Sequence, residues 1–208
     1  MSKVAQHASL AAAGIATPRT IAVVGSDRLE AAVIGAQFAC KPFVLKPNRG
    51  GKGLGVRLLQ DLDDLRSNIS RIADEPSADN VWLIQEYCPS PDQTITRLEF
   101  IGGSLHYAVR VHTGGDFELC PAEACALPGA PPMFEIEPLE DLGLVNKIGA
   151  FLKTSGVEVA GVEFLKTSDG QQLVYDINTN TNYNSEAEER AGVEPGPMAL
   201  ARFIDSLC

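Results

Sequence analysis

The order of apolar and polar positions along this chain predicts helices and strands in mixed succession. The first segment has helical spacing and ends at Gly14, a residue type that commonly closes helices. Short runs rich in β-branched and aromatic residues then alternate with helical patterns. We predict helices over 2–13, 27–38, 62–72, 138–154 and, with interruptions, 186–207, and strands over 21–24, 43–46, 55–59, 81–87, 94–101, 105–111, 159–165 and 173–178. This mixture indicates an α+β fold.

Three local signals refine the pattern. Asp61 precedes a helical run and is predicted to be its N-cap. The pair Gly102-Gly103 joins two predicted strands and indicates a hairpin. The segment 112–138 is rich in glycine and proline and is predicted to be a long loop, a class of segment that is often functional.

Length, charge and hydropathy exclude several classes of protein. The 208 residues suffice for one domain or two closely joined lobes. A net charge of −10 argues against a nucleic-acid surface. The sequence has no apolar run of about 18 residues and no signal-peptide pattern. We therefore expect a cytoplasmic protein that has no nucleic-acid or membrane partner.

The cysteines do not have the spacing of a zinc site. Their odd number and wide spread indicate reduced thiols. Cys120 and Cys125 are close in sequence, so they are either a redox pair or incidental small residues. The five cysteines are Cys40, Cys88, Cys120, Cys125 and Cys208.

Three oxygen-bearing side chains lie on two predicted neighbouring strands. Asp176 and Asn178 are two residues apart, so they share a face, and the adjacent strand can bring Glu163 opposite them. Two carboxylates and an amide oxygen suit magnesium when phosphate oxygens complete its octahedron. The alternative interpretation is an edge hairpin with a solvated polar face.

Lys46 lies at the end of an apolar strand, directly before a glycine-rich loop. A lysine there can contact a phosphate chain, while Gly50, Gly51 and Gly53 allow backbone amides to approach the oxygens. The order strand, loop, strand predicts a flexible lid, and it matches neither the P-loop nor the dinucleotide motif. A solvated hairpin loop is the alternative.

Two arginines on the predicted hairpin are candidates for binding a phosphoryl or acyl-phosphate group. Arginine suits that role because its planar fork can bind two oxygens at once. Either Arg97 or Arg110 can equally be a surface charge, and we assign a site role to Arg110 only.

The order of these motifs resembles the ATP-grasp superfamily, in particular the carboxylate–amine ligases similar to the ribosomal-protein glutamate ligase. The resemblance covers residues 3 to about 207. The family's metal motif is usually Asp…Glu-x-Asn, so each acid here is exchanged for the other acid, which keeps charge and ligand type. The matching segments are Ser2-Lys3-Val4, Gly14-Ile15-Ala16-Thr17-Pro18-Arg19-Thr20, Phe43-Val44-Leu45-Lys46-Pro47 with the glycine loop, Leu83-Ile84-Gln85-Glu86-Tyr87, and Glu163 with Asp176-Ile177-Asn178.

The resemblance implies an ATP-grasp fold with two α+β subdomains whose antiparallel sheets enclose the nucleotide. The smaller, lid-bearing subdomain would cover about 17–87 and the larger, metal-binding one about 88–208, with the helix 2–13 leading in. The implied site residues are Lys3 and Lys46 on the ATP phosphates, Gly50, Gly51 and Gly53 in the lid, Gln85, Glu86 and Tyr87 at adenine, Glu163, Asp176 and Asn178 on Mg²⁺, and Arg110 on the transferred phosphoryl group.

The resemblance also implies an activity. ATP would convert a carboxylate to an acyl phosphate, which an amine attacks to form an amide or peptide bond, with release of ADP and phosphate. The cofactors would be ATP and Mg²⁺, and the substrates a small-molecule carboxylate and an amino-acid-like amine. The alternative is a nucleotide-binding module without turnover, with a regulatory or scaffold role.

Three segments depart from the family. The chain has Thr94-Ile95-Thr96 where relatives often have Asp-Ile-Arg, which leaves Asp92 as a substitute ribose contact. The run Asn178–Asn184 either presents amides to the acceptor or is a structural loop. The segment 117–123 replaces a basic segment of the protein-modifying ligases, which argues against an acidic protein tail as acceptor.

Relatives usually carry a further α/β domain of about a hundred residues before the first helix. We therefore expect this chain to be an excised domain, a short natural form or one half of a two-chain system. Its partner would then be a separate N-terminal domain or a second copy of the chain.

Overall fold

The protein consists of two compact units in which helices accompany antiparallel sheets. The first unit contains residues 2–11 and 17–89, and the second contains 12–16, 90–113 and the described residues from 132 onward. Helices and two antiparallel sheets confirm the predicted α+β class. The computed structural model describes residues 2–51, 53–75, 77–113, 132–139 and 142–207.

The first unit is built around a four-stranded sheet. Its helices and strands are α1 (Lys3–Ala12), β1 (Thr20–Val24), α2 (Leu29–Gly35), β2 (Phe43–Pro47), β3 (Arg57–Leu59), α3 (Leu62–Asp74) and β4 (Val81–Glu86). The strands are antiparallel and lie in the order β1-β4-β2-β3. Asp61 caps α3 as predicted, because its carboxylate accepts a hydrogen bond of 2.9 Å from the Asp64 amide.

One face of this sheet packs against α2 and α3. The shared core contains Leu29, Val33, Leu65 and Ile72 from the helices, and Phe43, Leu45, Trp82 and Ile84 from β2 and β4. Side chains alternate along a strand, so the intervening positions point to the other face. Those positions include Lys46 and Gln85, which therefore lie on the side of the sheet away from α2 and α3.

The second unit is built around a five-stranded antiparallel sheet. Its helices and strands are β5 (Thr94–Ile101), β6 (Ser104–His112), β7 (Phe134–Glu137), α4 (Gly143–Thr154), β8 (Val159–Lys166), β9 (Gln172–Asn178), α5 (Ser185–Ala191) and α6 (Gly196–Asp205). The strand order is β7-β6-β5-β8-β9. The hairpin predicted at Gly102-Gly103 joins β5 to β6.

The two faces of this second sheet differ in polarity. A cross-strand row of buried apolar residues comprises Ile177, Val162, Leu98 and Ala108. Helix α4 packs on this side, since a Cβ placed at Gly149 would lie 3.7 Å from the Phe100 ring. The neighbouring row contains acidic and basic residues, and alternation directs their side chains to the opposite face. The sheet therefore presents a polar surface on which a site can form.

Three predicted boundaries differ from the observed ones. The helix predicted over 27–38 is a 3₁₀ turn, Ser26–Arg28, followed by α2, which ends at Gly35. It does not extend to residue 38 because Gln37 has a φ of 62°, outside the range of a right-handed helix. Strand β3 begins at Arg57 rather than residue 55, since Gly55 has a φ of 73°. Helix α4 begins at Gly143, and residues 138 and 139 precede it without helical structure.

The segment 112–138, predicted to be a loop, contains strand β7, which pairs antiparallel with β6. Its four residues alternate in polarity, but Pro132 and Pro138 flank them and made the segment resemble a loop. Cys120 and Cys125 lie outside the described residues. Within the described ranges, no helix has the length and apolar character to cross a membrane.

Candidate functional site

A buried polar cluster surrounds Lys46 in the first unit. Lys46 and Gln85 lie on neighbouring strands, and their side chains are only 5% and 4% exposed. The Lys46 Nζ donates a hydrogen bond of 2.9 Å to Oε1 of Gln85. Because an ammonium group only donates, this contact turns the Gln85 amide oxygen toward the lysine. We refer to Lys46, Gln85, Thr20 and His7 as the lysine cluster.

The amide nitrogen of Gln85 completes the lysine cluster. Its Nε2 donates to Thr20 Oγ1 at 2.8 Å and lies 3.1 Å from Nε2 of His7. Since the amide nitrogen is a donor, His7 Nε2 accepts, which places the proton of the neutral imidazole on Nδ1. The side chain of Gln85, predicted at adenine, therefore orients Lys46.

Asn48, which we did not single out from the sequence, joins the end of β2 to the start of α1. Its Oδ1 accepts hydrogen bonds from Ser2 Oγ at 2.9 Å and from the Val4 amide at 3.0 Å. The Lys3 amide donates to the Asn48 carbonyl at 3.2 Å. Asn48 thereby holds Lys3, which is 8% exposed, at the loop that follows Lys46. Its position directly after the Lys46-Pro47 pair was the available signal.

Two of the described glycines in the loop have unusual backbone angles. Gly50 and Gly53 have φ angles of 147° and 71°, which side-chain-bearing residues rarely adopt. The Leu54 amide donates to the Gly51 carbonyl at 3.2 Å. A Cβ at Gly51 would meet no atom within 4 Å, so the protein's own packing does not require glycine at position 51.

The two residues that follow Gln85 lie at the end of β4. The Glu86 amide donates a hydrogen bond of 2.8 Å to the Arg19 carbonyl. The side chains of Glu86 and Tyr87 are half-buried at the strand end. The structure therefore places these two predicted adenine contacts in the same unit as the lysine cluster.

The three predicted metal ligands are brought together in the second unit. Glu163 and Asp176 are direct register partners across β8 and β9. Asn178 lies two residues further on the same face, and its Nδ2 donates to Asp176 Oδ2 at 3.2 Å. All three side chains are half-buried. The spatial prediction drawn from strand alternation is therefore confirmed for the positions of these residues.

The pKa of the Tyr175 hydroxyl reflects the negative charge around these carboxylates. A bulge in the β8–β9 pairing accommodates this residue next to Asp176. Burial, followed by the negative charges of Glu163 and Asp176, raises the pKa of the Tyr175 hydroxyl well above its ordinary value. The surroundings of the two acids therefore hold concentrated negative charge, which a bound cation would offset.

Arg97 and Glu99 extend the polar face onto β5. Arg97 is the register partner of Glu163, so Arg97, Glu163 and Asp176 form one cross-strand row, which we call the carboxylate row. The Arg97 Nε lies 2.6 Å from Glu99 Oε1. Glu99 was missed in the sequence, although an acid between Leu98 and Phe100 in an apolar strand was a usable signal.

Arg110 lies on the other face of the same sheet. It pairs in register with Thr96, whereas Arg97 pairs with Val109, and adjacent positions on a strand point to opposite faces. The Arg110 guanidinium forms an ion pair of 2.8 Å with Glu137. The structure therefore does not bring Arg110 to the carboxylate row.

The Asn178–Asn184 run is mostly committed to structural contacts. The Asn182 carbonyl accepts a hydrogen bond of 2.8 Å from Arg97. Asn184 caps α5, since its Oδ1 accepts from the Ala187 amide at 2.8 Å. A Cβ at Gly196 would lie 2.2 Å from the Tyr183 ring, so that ring requires glycine beside it. The structural interpretation of the run is favoured for residues 182–184.

In the part of the chain that the structure describes, neither the cysteines nor other groups of metal-binding side chains form a competing site. Among the described residues, no group of three or more His, Cys, Asp or Glu side chains is placed to hold a metal. Cys40 is exposed and Cys88 half-buried, and both are free thiols. The metal candidate is therefore the set of two carboxylates and one amide.

Comparisons with known proteins agree with the geometry. A family model described as "RimK-like ATP-grasp domain" matches residues 1–194. Beta-citrylglutamate synthase B of Danio rerio is 27% identical over 201 residues, which cover 95% of this chain and 46% of that protein. N5-carboxyaminoimidazole ribonucleotide synthase of Mycobacterium tuberculosis is 30% identical over 185 residues, which cover 84% of this chain and 39% of that protein. The chain spans less than half the length of these curated relatives.

Solved structures resemble the whole chain. The ATP-grasp ligase PsnB, in complex with a phosphomimetic variant of its minimal precursor, Mg and ADP, superimposes with a TM-score of 0.67. The two proteins are 20% identical, and the match covers 98% of this chain and 58% of PsnB. At this identity the likeness concerns the fold, and it confirms the predicted ATP-grasp fold.

Proposed function

The chain belongs to the RimK-like ATP-grasp family, and on this premise we propose that it is the catalytic core of an ATP-dependent ligase. The ligase would join a carboxylate to an amine through an acyl phosphate. The observation that carries the proposal is the set of three oxygen donors in which Glu163 faces Asp176 and Asp176 contacts Asn178. A fold relative with no use for a nucleotide has no need for these donors on adjacent strands.

Lys46 and Lys3 are the proposed phosphate contacts. Burial strengthens the attraction between an ammonium group and a phosphate, because the surrounding dielectric is low. The Gln85 amide fixes the direction of Lys46 and Asn48 fixes the start of the helix that carries Lys3. Both cations are thus oriented before a nucleotide arrives.

The glycine loop is the proposed lid over the phosphates. Position 51 has space for a side chain, and glycine there would let the backbone approach phosphate oxygens closely. Gly50 and Gly53 supply positive backbone φ angles that other residues rarely adopt. Closure of such a lid would exclude water from the reactive acyl phosphate.

Adenine is assigned to the end of β4. The side chain of Gln85 is committed to Lys46, so Glu86 and Tyr87 are the residues through which that strand end would hold the base. The predicted ribose contact through Asp92 stays a prediction.

The donor set fits Mg²⁺. Two carboxylates and an amide oxygen are hard ligands, and they leave positions for phosphate oxygens and water. The neighbour PsnB was solved with Mg and ADP, which supports the same pair here. When bound, Mg²⁺ would neutralise charge that develops on the phosphoryl group. Glu163, Asp176 and Asn178 would hold it.

Arg97 is the arginine that the geometry favours for the transferred phosphoryl group. It lies in the carboxylate row, next to Glu163, whereas Arg110 points to the other face and pairs with Glu137. In the described structure Arg97 forms an ion pair with Glu99 and donates one hydrogen bond, from Nη2 to the Asn182 carbonyl. The remaining donors are available to bind oxygen atoms of the acyl phosphate.

Residues of the chain account for each chemical requirement. A carboxylate is a poor acyl donor, and phosphorylation gives it a good leaving group. In the first unit Lys46 and Lys3 would offset the negative charge of the ATP phosphates, and in the second Arg97 would offset that of the transferred phosphoryl group. The glycine lid would protect the activated acyl group until the amine attacks. We propose amino-acid-like small molecules as the carboxylate and the amine.

The test is ADP release in the presence of Mg²⁺, ATP and panels of carboxylate–amine pairs. We expect a matched pair to stimulate release, and Asp176→Ala to reduce it by about a hundredfold or more because a metal ligand is lost. Asp169→Ala is the matched control, since Asp169 is an exposed acid in the turn between β8 and β9.

Full turnover by a folded Asp176→Ala protein would contradict the metal assignment. Nucleotide binding without ADP release from any pair would instead favour the non-catalytic module. Thermal unfolding of both variants establishes that the comparison is made between folded proteins.

A further inference from the structure

Asp79 is a carboxylate in the turn that leads into β4, and its two oxygens serve different parts of the first unit. Oδ1 accepts hydrogen bonds from Ser77 Oγ at 3.0 Å and from the Val81 amide at 3.2 Å, so it closes the turn itself. Oδ2 accepts a hydrogen bond of 2.5 Å from Nδ2 of Asn48, which is 31 positions away in the chain. One oxygen therefore has a local role, and the other reaches the residue that follows β2.

The contact with Asp79 determines how the Asn48 amide is oriented. The Val4 amide can only donate, so Asn48 must direct its Oδ1 toward α1, where the bond measures 3.0 Å. Its Nδ2 belongs to a side chain that is 5% exposed, and Asp79 Oδ2 supplies the acceptor that this buried donor requires. An amide turned the other way would place Nδ2 against the Val4 amide, donor against donor. Asp79 thus selects the orientation in which Asn48 binds on both sides.

Asn48 in turn binds the first amides of α1. The first four amide groups of a helix have no partner within the helix. The Lys3 amide donates to the Asn48 carbonyl at 3.2 Å and the Val4 amide to the Asn48 side chain, whereas Ser2 accepts from the next two amides. Two of the four partners are therefore supplied by a residue outside the helix, and Asp79 orients that residue.

The turn that carries Asp79 is itself held in place. The Asn80 amide donates to the Ser77 carbonyl at 2.9 Å, and the Gly25 amide donates to the Asn80 carbonyl at 2.9 Å. The second of these bonds joins the turn to the end of β1, since Gly25 directly follows that strand. A carboxylate whose direction is already fixed can orient its partner without being ordered first.

Arg49 contributes little to this arrangement. Its Nε lies 3.5 Å from Asp79 Oδ2, and its side chain is 54% exposed. Ion pairs that are this long and this exposed to water contribute little. The hydrogen bond between Asn48 and Asp79 is shorter, charge-assisted and buried on the Asn48 side, so it is the contact that decides the role of Asp79.

We propose that Asp79 is a positioning residue for nucleotide binding, which orients Asn48 and through it fixes the start of α1 that carries Lys3. Asp79 acts through Asn48 and is not itself a nucleotide contact. This inference rests on the proposed function, because it takes Lys3 as a contact of the ATP phosphates.

The first test is amide hydrogen exchange in the whole chain without nucleotide. Asp79→Asn keeps a carbonyl oxygen for the turn and places an NH2 group, which cannot accept, opposite Asn48. We expect the Val4 amide to exchange about tenfold faster in this variant, and the Val81 amide to exchange as in the wild type. Unchanged exchange at Val4, or faster exchange at both amides, would overturn the positioning role.

A double variant distinguishes orientation from local damage. Asn48→Asp combined with Asp79→Asn exchanges the carboxylate and the amide at unchanged net charge. The carboxylate at position 48 can then accept from the Val4 amide and from the amide at position 79, so Val4 exchange should return to within about threefold of the wild type. A merely structural role for Asp79 in its turn would not produce this rescue, and its absence would overturn the proposal.

The second test is calorimetric titration with ADP and Mg²⁺. We expect Asp79→Asn to weaken ADP binding about tenfold, as loss of a residue that orients a binding group typically does. Asp61→Asn is the matched control, since Asp61 is a half-buried carboxylate of the same unit that accepts from the Asp64 amide at 2.9 Å. Its ADP affinity should equal that of the wild type. Wild-type affinity in Asp79→Asn, or a tenfold loss in Asp61→Asn as well, would overturn the specific role of Asp79.

The two tests distinguish failure of this inference from failure of the proposed function. A wild type that binds no ADP would overturn the nucleotide site and, with it, the nucleotide part of the inference. Val4 exchange would then still decide whether Asp79 orients the start of α1. Equal ADP binding by the wild type and Asp79→Asn would leave the proposed function standing and overturn the positioning role.

Discussion

Gly161→Ala is predicted to destabilise the second unit by disrupting the contact between Thr181 and Glu99. The new Cβ would lie 2.7 Å from Thr181 Oγ1 and 3.2 Å from Thr181 Cβ. Unstrained contacts between such atoms have separations of about 3.5 Å or more. Thr181 must therefore move by roughly 0.5–1 Å. A shift of that size weakens, and at its upper end breaks, hydrogen bonds that now measure 2.8 and 2.9 Å.

The expected cost follows from two contributions. Overpacking a buried position costs about 1–3 kcal/mol. Loss of a hydrogen bond to a buried carboxylate costs about 1.5–3 kcal/mol. Partial relaxation of the Thr181 segment offsets some of this sum, so we predict that Gly161→Ala lowers the free energy of unfolding by about 3 kcal/mol.

The assay is equilibrium urea unfolding with Gly149→Ala as the control. Gly149 lies inside α4, and its added Cβ would make only ordinary contacts, 3.7 Å from Phe100 and 3.8 Å from the Gly103 carbonyl. Because alanine favours a helix interior, this control should gain about 0.5–1 kcal/mol. Equal midpoints for Gly161→Ala and the wild type, at unchanged slope, would refute the reasoning.

Two further predictions concern titratable groups. Burial acts to raise the pKa of the Asp79 carboxyl, but hydrogen bonds from Asn48, Ser77 and two backbone amides together lower it. A lowered folded-state pKa contributes stability above the ordinary value of 3.8 that is lost as the pH falls through the folded value. Urea midpoints should therefore fall more steeply below pH 3.8 for the wild type than for Asp79→Asn. Parallel curves of midpoint against pH for the two proteins would contradict this. Burial raises the pKa of the Cys88 thiol to about 11. Peptide maps should therefore show that iodoacetamide at about pH 8 labels exposed Cys40 well before Cys88. Equal labelling rates for the two thiols would contradict this.

Sequence patterns predicted much of the sheet structure and the relative positions of three oxygen-bearing side chains, whose role as metal ligands stays a prediction. The alternation of Asp176 and Asn178 fixed a shared face, and a neighbouring strand supplied Glu163 in register. These predictions succeeded because a strand repeats every two residues wherever it lies in a sheet. The cap at Asp61 was equally local, and it too was confirmed.

The choice between the two arginines could not be made from the sequence. An unbroken hairpin counted from Ile101 opposite Ser104 would place Arg110 opposite Ile95, on the same face as Arg97. A register shift between Glu99 and Phe100 instead pairs Arg110 with Thr96. One extra residue moves every later side chain to the other face, and the sequence does not reveal where such a bulge occurs.

The lysine cluster and the contact between Thr181 and Glu99 were missed for a different reason. His7 and Gln85 are 78 positions apart, and Glu99 and Thr181 are 82 apart. Each contact depends on how distant strands and segments pack, which periodicity along the chain does not encode. The unusual residues themselves, an acid within an apolar strand and a histidine within an amphipathic helix, were visible without their partners.

The most direct measurement is calorimetric titration of this chain with Mg²⁺ and a non-hydrolysable ATP analogue. Lys46→Ala removes the proposed phosphate contact, and Lys41→Ala is the control, since Lys41 is an exposed lysine shortly before the same strand. We predict binding by the wild type and by Lys41→Ala, and a loss of about tenfold or more in Lys46→Ala. Equal binding by all three proteins, or no binding by the folded wild type, would contradict the nucleotide site.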